Sequence, residues 1–113
     1  MTEIQKTLND RAAKYGDFRG HAQIATDLKN AMRTGSSWGE LSPYMQEALD
    51  MIQHKIARIL NGDPTYEDSW VDIVGYSQLA LDRVRQDNQS LEVKKAFDLP
   101  LDIIKKETTR DAW

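Results

Sequence analysis

Apolar side chains recur every three or four residues along most of the chain, which is the spacing of one face of an α-helix. A capping-box pattern at Thr2 and Gln5 precedes the first run and predicts a helix over residues 3–14. Asp17 is placed to cap a second helix that ends near Thr34. The apolar positions are Ile4, Leu8 and Ala12 in the first helix, and Phe18, Ala22, Ala25, Leu28 and Met32 in the second.

The third and fourth helices have the strongest apolar patterns. Ser42, Pro43 and Gly62 predict the N-cap, the first helical residue and the C-terminal stop of the third helix. A fourth helix follows to about Gln86, and its apolar side chains surround most of its circumference, which predicts a central helix packed on several sides. The apolar positions are Met45, Leu49, Ile52, Ile56, Ile59 and Leu60 in the third helix, and Trp70, Val71, Ile73, Val74, Tyr76, Leu79, Ala80 and Leu81 in the fourth.

These patterns predict an all-α fold with a four-helix core and a short C-terminal helical appendage. We place the core at residues 1–88 and the appendage at residues 89–113, because the polar segment at residues 87–90 interrupts the apolar pattern. The apolar positions that follow support only a short helix before Pro100, and we expect residues 106–113 to be frayed.

Composition narrows the class of protein. The 113 residues contain no cysteine, which excludes a disulfide framework, a thiolate zinc site, an iron–sulfur cluster and a cysteine nucleophile. Charged residues interrupt every apolar stretch, and the N-terminus lacks the basic and apolar regions of a signal peptide. We therefore expect a cytoplasmic protein that does not enter a membrane.

Charge is distributed unevenly along the chain. The net charge is −3, and residues 40–72 alone carry seven acidic and only two basic side chains. A nucleic-acid-binding protein concentrates positive charge on one face, because neutralisation of phosphates supplies most of its affinity. The acidic middle of the chain argues against a nucleic-acid partner and is compatible with a divalent cation.

Glu47 and Asp50 are three residues apart on the third helix and therefore share one face. One interpretation is an ordinary solvated helix surface, because this face lies opposite the apolar stripe. The alternative is that the two carboxylates bind Mg²⁺, which prefers oxygen ligands and retains several waters.

Asp72 interrupts the otherwise apolar fourth helix, and burial of its carboxylate without a partner would cost several kcal/mol. A structural ion pair with Lys55 or Arg58 is one solution. The other is a metal ion shared with Asp68, one helical turn earlier, and with the acidic pair of the third helix.

A second group of polar residues surrounds the junction of the first two helices. Arg11 and Lys14 are candidate phosphate contacts, and Tyr15 or His21 is placed against a base or sugar. The alternative is purely structural: Gly16 permits the break between the helices, and His21 forms a hydrogen bond at the edge of the core.

Three segments between residues 5 and 85 resemble a group of small phage and prophage proteins without an assigned activity. The segments are Arg11 with Tyr15-Gly16-Asp17-Phe18, Ala48-Leu49-Asp50-Met51-Ile52 with Lys55-Ile56-Ala57-Arg58-Ile59, and Asp68-Ser69-Trp70-Val71-Asp72-Ile73-Val74-Gly75-Tyr76. The layout is also distantly similar to the all-α nucleoside triphosphate pyrophosphohydrolases of the MazG-like and dimeric dUTPase superfamily. Those proteins hold Mg²⁺ with an E-x-x-E pair and an E-x-x-D pair on consecutive helices.

The resemblance implies a set of site residues and an activity. Glu47 and Asp50 match the first pair with Asp in place of Glu, while Asp68 and Asp72 are four rather than three residues apart. We therefore predict a phage-type, Mg²⁺-dependent nucleotide-handling protein that hydrolyses a nucleoside triphosphate between the α and β phosphates. The assignments are Glu47, Asp50 and Asp72 as catalytic residues, these three with Asp68 as metal ligands, and Arg11, Lys14, Tyr15, His21, Lys55 and Arg58 as substrate contacts.

Two predictions concern partners. The resemblance implies a homo-oligomer, either a dimer or a tetramer, with sites assembled across subunits. The alternative function is a non-catalytic phage protein that binds a host protein or sequesters a nucleotide signal, because the acidic middle and the mixed-charge tail from Leu91 to Trp113 are suited to docking on a partner.

Overall fold

The computed structural model describes residues 2–97 of the chain, and over this range it is helical without any strand. The predicted all-α fold is therefore confirmed. The elements are α1 (Glu3–Tyr15), α2 (Phe18–Arg33), a 3-10 turn at Trp38–Glu40, α3 (Pro43–Asn61) and α4 (Glu67–Phe97). None of the helices within residues 2–97 combines the length and the hydropathy needed to cross a bilayer.

Thr2 and Asp17 cap α1 and α2 with their side chains, as the sequence predicts, whereas Ser42 occupies the N-cap position of α3 without a side-chain capping hydrogen bond. The Thr2 hydroxyl accepts a hydrogen bond from the Gln5 amide, and the Gln5 side chain accepts one from the Thr2 amide, which completes the capping box. The Asp17 carboxylate accepts a hydrogen bond of 3.1 Å from the Gly20 amide and begins α2. α3 begins with Pro43 and is capped by Gly62 at its C-terminus.

The predicted end of the fourth helix at Gln86 is wrong, because α4 continues without interruption to Phe97. Residues 87–90 are polar but include neither glycine nor proline, so the segment carries no residue that breaks a helix. An ion pair of 3.4 Å between Arg83 and Asp87 joins consecutive turns of the helix. Residues 98–113, where Pro100 and the predicted frayed end fall, lie outside the described residues.

The described chain forms two compact units. The first extends to Ser77 and contains α1, α2, α3 and the start of α4, and the second begins at Gln78 within α4. In the first unit, α2 and α3 make the most extensive contact between helices, and α1 contacts both of them.

The buried positions of the first unit are occupied by small or polar side chains. The buried apolar residues are Ala25, Ala48 and Ala57, and the buried polar residues are His21, Gln53, Lys55 and Ser69. Alanine allows helix backbones to approach closely but contributes little buried apolar area. The first unit therefore depends on close helix contact and on paired polar groups as well as on an apolar core.

Several large apolar side chains that the sequence pattern predicts to be buried are exposed, so the predicted apolar faces are wrong at these positions. Phe18 at the start of α2 is 83% exposed, and Trp70 on α4 is 53% exposed. The stripe of α3 is open at Leu49, Ile56 and Leu60. Helical periodicity identifies an apolar face, but it does not show whether the same chain covers that face.

The junction of α1 and α2 crosses the end of α3 at backbone contact distance. Gly16 has a φ of 78° and lies so close to the Asn61 carbonyl that a Cβ atom would collide with it. A Cβ atom on Gly62 would likewise collide with the Lys14 carbonyl, which accepts a hydrogen bond of 2.7 Å from the Asp63 amide. The Asn61 side-chain amide also donates hydrogen bonds of 2.8 Å to the carbonyl oxygens of Tyr15 and Asp17.

This crossing predicts opposite effects for two Gly→Ala substitutions. Gly62→Ala should lower the free energy of unfolding by about 2 kcal/mol or more, because the new methyl group separates the two backbones. Gly75→Ala should raise it by about 0.5–1 kcal/mol, because the α4 position has open space and alanine is the better helix former. Urea unfolding monitored by circular dichroism measures both changes, and equal stability of Gly62→Ala and the wild type would contradict the role of the crossing.

Candidate functional site

Basic, imidazole and tyrosine side chains from α1, α2, α3 and the loop before α4 meet beside the crossing. The Arg58 guanidinium lies 4.2 Å from the centre of the Tyr15 ring, and the Lys14 ammonium lies 5.0 Å from the centre of the Tyr66 ring. The two tyrosine rings are 5.8 Å apart in an edge-to-face arrangement. We call this group the basic cluster, and its members are Lys14, Tyr15, His21, His54, Arg58 and Tyr66.

The two histidines of the protein form the buried side of the basic cluster. The ring centres of His21 on α2 and His54 on α3 are 4.6 Å apart, with an angle of 78° between the ring planes. Burial, together with the positive charge of Arg58, lowers the pKa of His54 to about 4. Burial and Arg58 also lower the pKa of His21. Both imidazoles are therefore neutral at pH 7.

The basic cluster contains positive charge that no carboxylate neutralises. Within residues 2–97, Arg58 and Lys14 contact tyrosine rings and form no ion pair. The Nδ1 atom of His21 is also buried and has no hydrogen-bond partner in this range. Buried polar atoms are usually satisfied by protein or by another bound group. The cluster therefore offers both charge and hydrogen-bonding capacity to an anion.

Asp72 pairs with Lys55, so the structural ion pair that was one interpretation of this residue is confirmed. The Lys55 ammonium donates to an Asp72 carboxylate oxygen at 2.9 Å, and Lys55 is only 9% exposed. The pair joins α3 to α4 and gives a buried cation its counterion. Lys55 is therefore already paired with a carboxylate. Arg58 on the same helix forms no ion pair within residues 2–97 and can contact a ligand.

Two of the other three predicted metal ligands form hydrogen bonds with different side chains. The Asp50 carboxylate accepts hydrogen bonds of 3.2 and 2.9 Å from both terminal nitrogens of Arg33, and Asp68 accepts one of 2.8 Å from the Tyr66 hydroxyl. Glu47 is exposed on α3. No group of three or more acidic or histidine side chains suited to a metal ion occurs among residues 2–97. The four predicted metal ligands therefore do not form such a group within the described part of one chain.

The structure brings together four of the predicted substrate contacts, Lys14, Tyr15, His21 and Arg58, from three helices, and adds residues that the sequence did not indicate. These four belong to the basic cluster, whereas Arg11 lines a separate shallow depression on α1. His54 and Tyr66 were not predicted as site residues. His54 lies four residues before Arg58 on α3, and this spacing was the available signal. Tyr66 lies in a loop, so no periodicity indicated its position.

The fold and the site together describe a small all-α protein with a basic cluster at a helix crossing. The chain belongs to the DUF6378 family, a domain of unknown function, whose sequence profile matches residues 1–84. The matched range contains the whole basic cluster. No curated protein and no solved structure matches the chain.

The histidine pair predicts a loss of stability in acid. Both folded-state pKa values lie below the ordinary value of 6.5, so the unfolded chain binds more protons and stability falls as the pH drops from 6.5 to about 4. His54→Phe keeps an aromatic ring but removes one of the two groups that bind a proton on unfolding. The fall in stability with decreasing pH should therefore be shallower in this variant. Urea unfolding across this interval measures the slope, and identical slopes for the variant and the wild type would contradict the assignment.

Proposed function

We propose that the protein binds a nucleotide and that the basic cluster contacts its phosphates. The observation that carries the proposal is the Arg58 guanidinium: it forms no ion pair within the described residues, and its charge acts on His21, whose buried Nδ1 atom has no hydrogen-bond partner in the same range. Guanidinium groups bind phosphate through several parallel hydrogen bonds, and Lys14 adds a second positive charge. The exposed part of the cluster suits a polyanion better than a single small anion.

The tyrosines favour a nucleotide over inorganic phosphate. Tyr15 and Tyr66 present aromatic rings next to the cationic groups, and such rings stack on bases or pack against sugars. The Asn61 hydrogen bonds and the two glycines hold the Tyr15 backbone in place, so the site needs little ordering when a ligand binds. This arrangement supports the nucleotide as the ligand class predicted from the sequence.

Mg²⁺-dependent pyrophosphohydrolysis remains part of the proposal as the chemistry of this site. Mg²⁺ that arrives on a triphosphate requires only one or two protein carboxylates, and Asp68 and Asp72 lie one turn apart at the start of α4. When bound, the ion would neutralise charge on the phosphates. Binding without turnover is the alternative, and the engagement of Asp50 by Arg33 and of Asp72 by Lys55 favours it. The phage assignment rests on the resemblance.

Binding of tripolyphosphate and of a panel of ribo- and deoxyribonucleoside triphosphates, measured by calorimetry, tests this proposal. Arg58→Gln and Lys14→Gln should each weaken binding by about tenfold, because each removes a positive charge from the phosphates. Lys6→Gln removes the same charge from an exposed position two turns earlier on α1 and should have little effect. Equal affinities for wild type and Arg58→Gln would contradict the site.

The same mixtures, supplied with Mg²⁺, test turnover through pyrophosphate release. Asp72→Asn can still accept a hydrogen bond from Lys55, so loss of release in this variant and in Asp68→Asn would support hydrolysis at these carboxylates. Asp27→Asn, at an exposed acid on α2, is the matched control. Nucleotide binding without pyrophosphate release in the wild type would instead support the sequestering alternative.

We also propose that the chain works as a homo-oligomer. Trp70, Val71 and Val74 form an exposed apolar surface at the start of α4, and they are 53%, 63% and 67% exposed. Contiguous apolar surface of this kind marks an interface in water-exposed proteins. A second copy is a suitable occupant because, among residues 2–97, the buried apolar side chains are all alanines. Oligomer formation would supply the apolar burial that the single chain lacks.

A charge within this surface should separate the subunits. Val74→Asp should lower the mass measured by light scattering after size exclusion, because an unpaired carboxylate would have to enter the interface. Gln23→Asp places the same charge on an exposed polar position of α2 and should leave the mass unchanged. A wild-type protein that is monomeric at all concentrations would contradict the proposal.

A further inference from the structure

A second concave site lies between the end of α2, the 3-10 turn and α3. It is a cleft of about 310 Å³, and its surface is almost entirely apolar. Leu49 and Ile56 form the open side of the cleft, and the Trp38 side chain forms part of its wall. This volume is at the lower end of the range for sites that bind small organic molecules.

Gln53 is the residue in this cleft that packing alone does not explain. It is only 2% exposed, and neither its side-chain nitrogen nor its side-chain oxygen has a hydrogen-bond partner within residues 2–97. A buried primary amide normally satisfies both atoms, because leaving them unpaired loses the hydrogen bonds they make in water. An aliphatic ligand would fill the cleft but would leave the amide unsatisfied, so the cleft calls for a ligand with polar atoms at one edge.

The tryptophan wall is held in place before any ligand binds. The Arg33 guanidinium lies 4.6 Å from the centre of the Trp38 ring and is itself held by both oxygens of Asp50. The Gln46 side chain donates a hydrogen bond of 3.1 Å to the Trp38 carbonyl. A rigid aromatic wall lowers the entropic cost of binding a flat ring.

We infer that this cleft binds a nucleobase, with Gln53 pairing to the edge of the ring and Trp38 packing against it. An amide presents a donor and an acceptor side by side, which is complementary to the donor and acceptor that a base presents on its edge. The inference rests on the proposed nucleotide ligand and places its base in the cleft, which leaves the tyrosine rings of the basic cluster to pack against the sugar. The cleft uses none of the residues assigned to the phosphates.

Titration of the full chain with nucleosides, which lack phosphates, tests the cleft separately from the basic cluster. Adenosine, guanosine, cytidine and thymidine are added to ¹⁵N-labelled protein, and Gln53→Met identifies the Gln53 side-chain amide signals by their absence. At least one nucleoside should shift these signals. Gln53→Met should weaken that binding by about tenfold, because a site built for hydrogen bonds loses its discrimination when they are removed.

Three further variants complete the test. Ile56→Trp enlarges a partly exposed side chain in the cleft wall and should block nucleosides even if Gln53→Met is poorly folded. Gln23→Met, at an exposed glutamine on α2, should bind nucleosides like the wild type. Unshifted Gln53 signals, or equal nucleoside affinity of Gln53→Met and wild type, would overturn the inference. The inference would also be overturned if a second copy of the chain covered the cleft. In that case Ile56→Asp would lower the oligomer mass measured by light scattering.

The phosphate and base sites fail independently in these measurements. Tripolyphosphate binding that requires Arg58, without any nucleoside binding, would overturn the base site and leave the proposed function intact. Nucleoside binding that requires Gln53, without any tripolyphosphate binding, would overturn the phosphate site and support the cleft.

Discussion

The close crossing of the α1–α2 junction over the end of α3 is the constraint on which the rest of the first unit depends. Gly16 and Gly62 allow backbone contact, and the Asn61 amide joins the two segments through hydrogen bonds to the Tyr15 and Asp17 carbonyls. Because these two backbone segments are held together at this point, the Tyr15 ring is brought against Arg58. The basic cluster is therefore a consequence of the crossing and not of any one helix face.

The buried residues of this chain are mainly small or polar, and their burial determines the charge state of the ionisable groups among them. The histidine pair is kept neutral by burial and by nearby cations, while Lys55 is buried only because Asp72 supplies its counterion. The large apolar side chains lie instead on open surfaces of α3 and α4. Such a chain has apolar surface to share with ligands or with copies of itself, and this is the physical link between the proposed site and the proposed oligomer.

The sequence indicates acidic residues as the candidate site, whereas the structure indicates basic residues. Composition singles out the acidic residues, yet two of them serve as counterions: Asp50 for Arg33 and Asp72 for Lys55. Arg58 and Lys14 of the basic cluster, in contrast, form no ion pair within residues 2–97. A count of the acidic residues in a segment does not show which of them are neutralised by a basic partner. The proposal of a phosphate site therefore rests on these cations, and among residues 2–97 no group of three acidic or histidine side chains suited to a metal ion is present.

The sequence by itself determined the helices, their caps at Thr2 and Asp17, and the candidate roles of Lys14 and Tyr15, because these features depend on neighbours within about one helical turn. Only the tertiary structure decided that Tyr66 and His54 lie in the same cluster as Lys14 and Tyr15. It also decided that Asp72 pairs with Lys55 and that side chains of the apolar stripe of α3 remain exposed. These outcomes depend on the angle and distance between helices, which arise from backbone contact at the crossing and leave no period in the sequence. The continuation of α4 beyond Gln86 is the exception: it is local in origin, since a polar segment without glycine or proline does not end a helix.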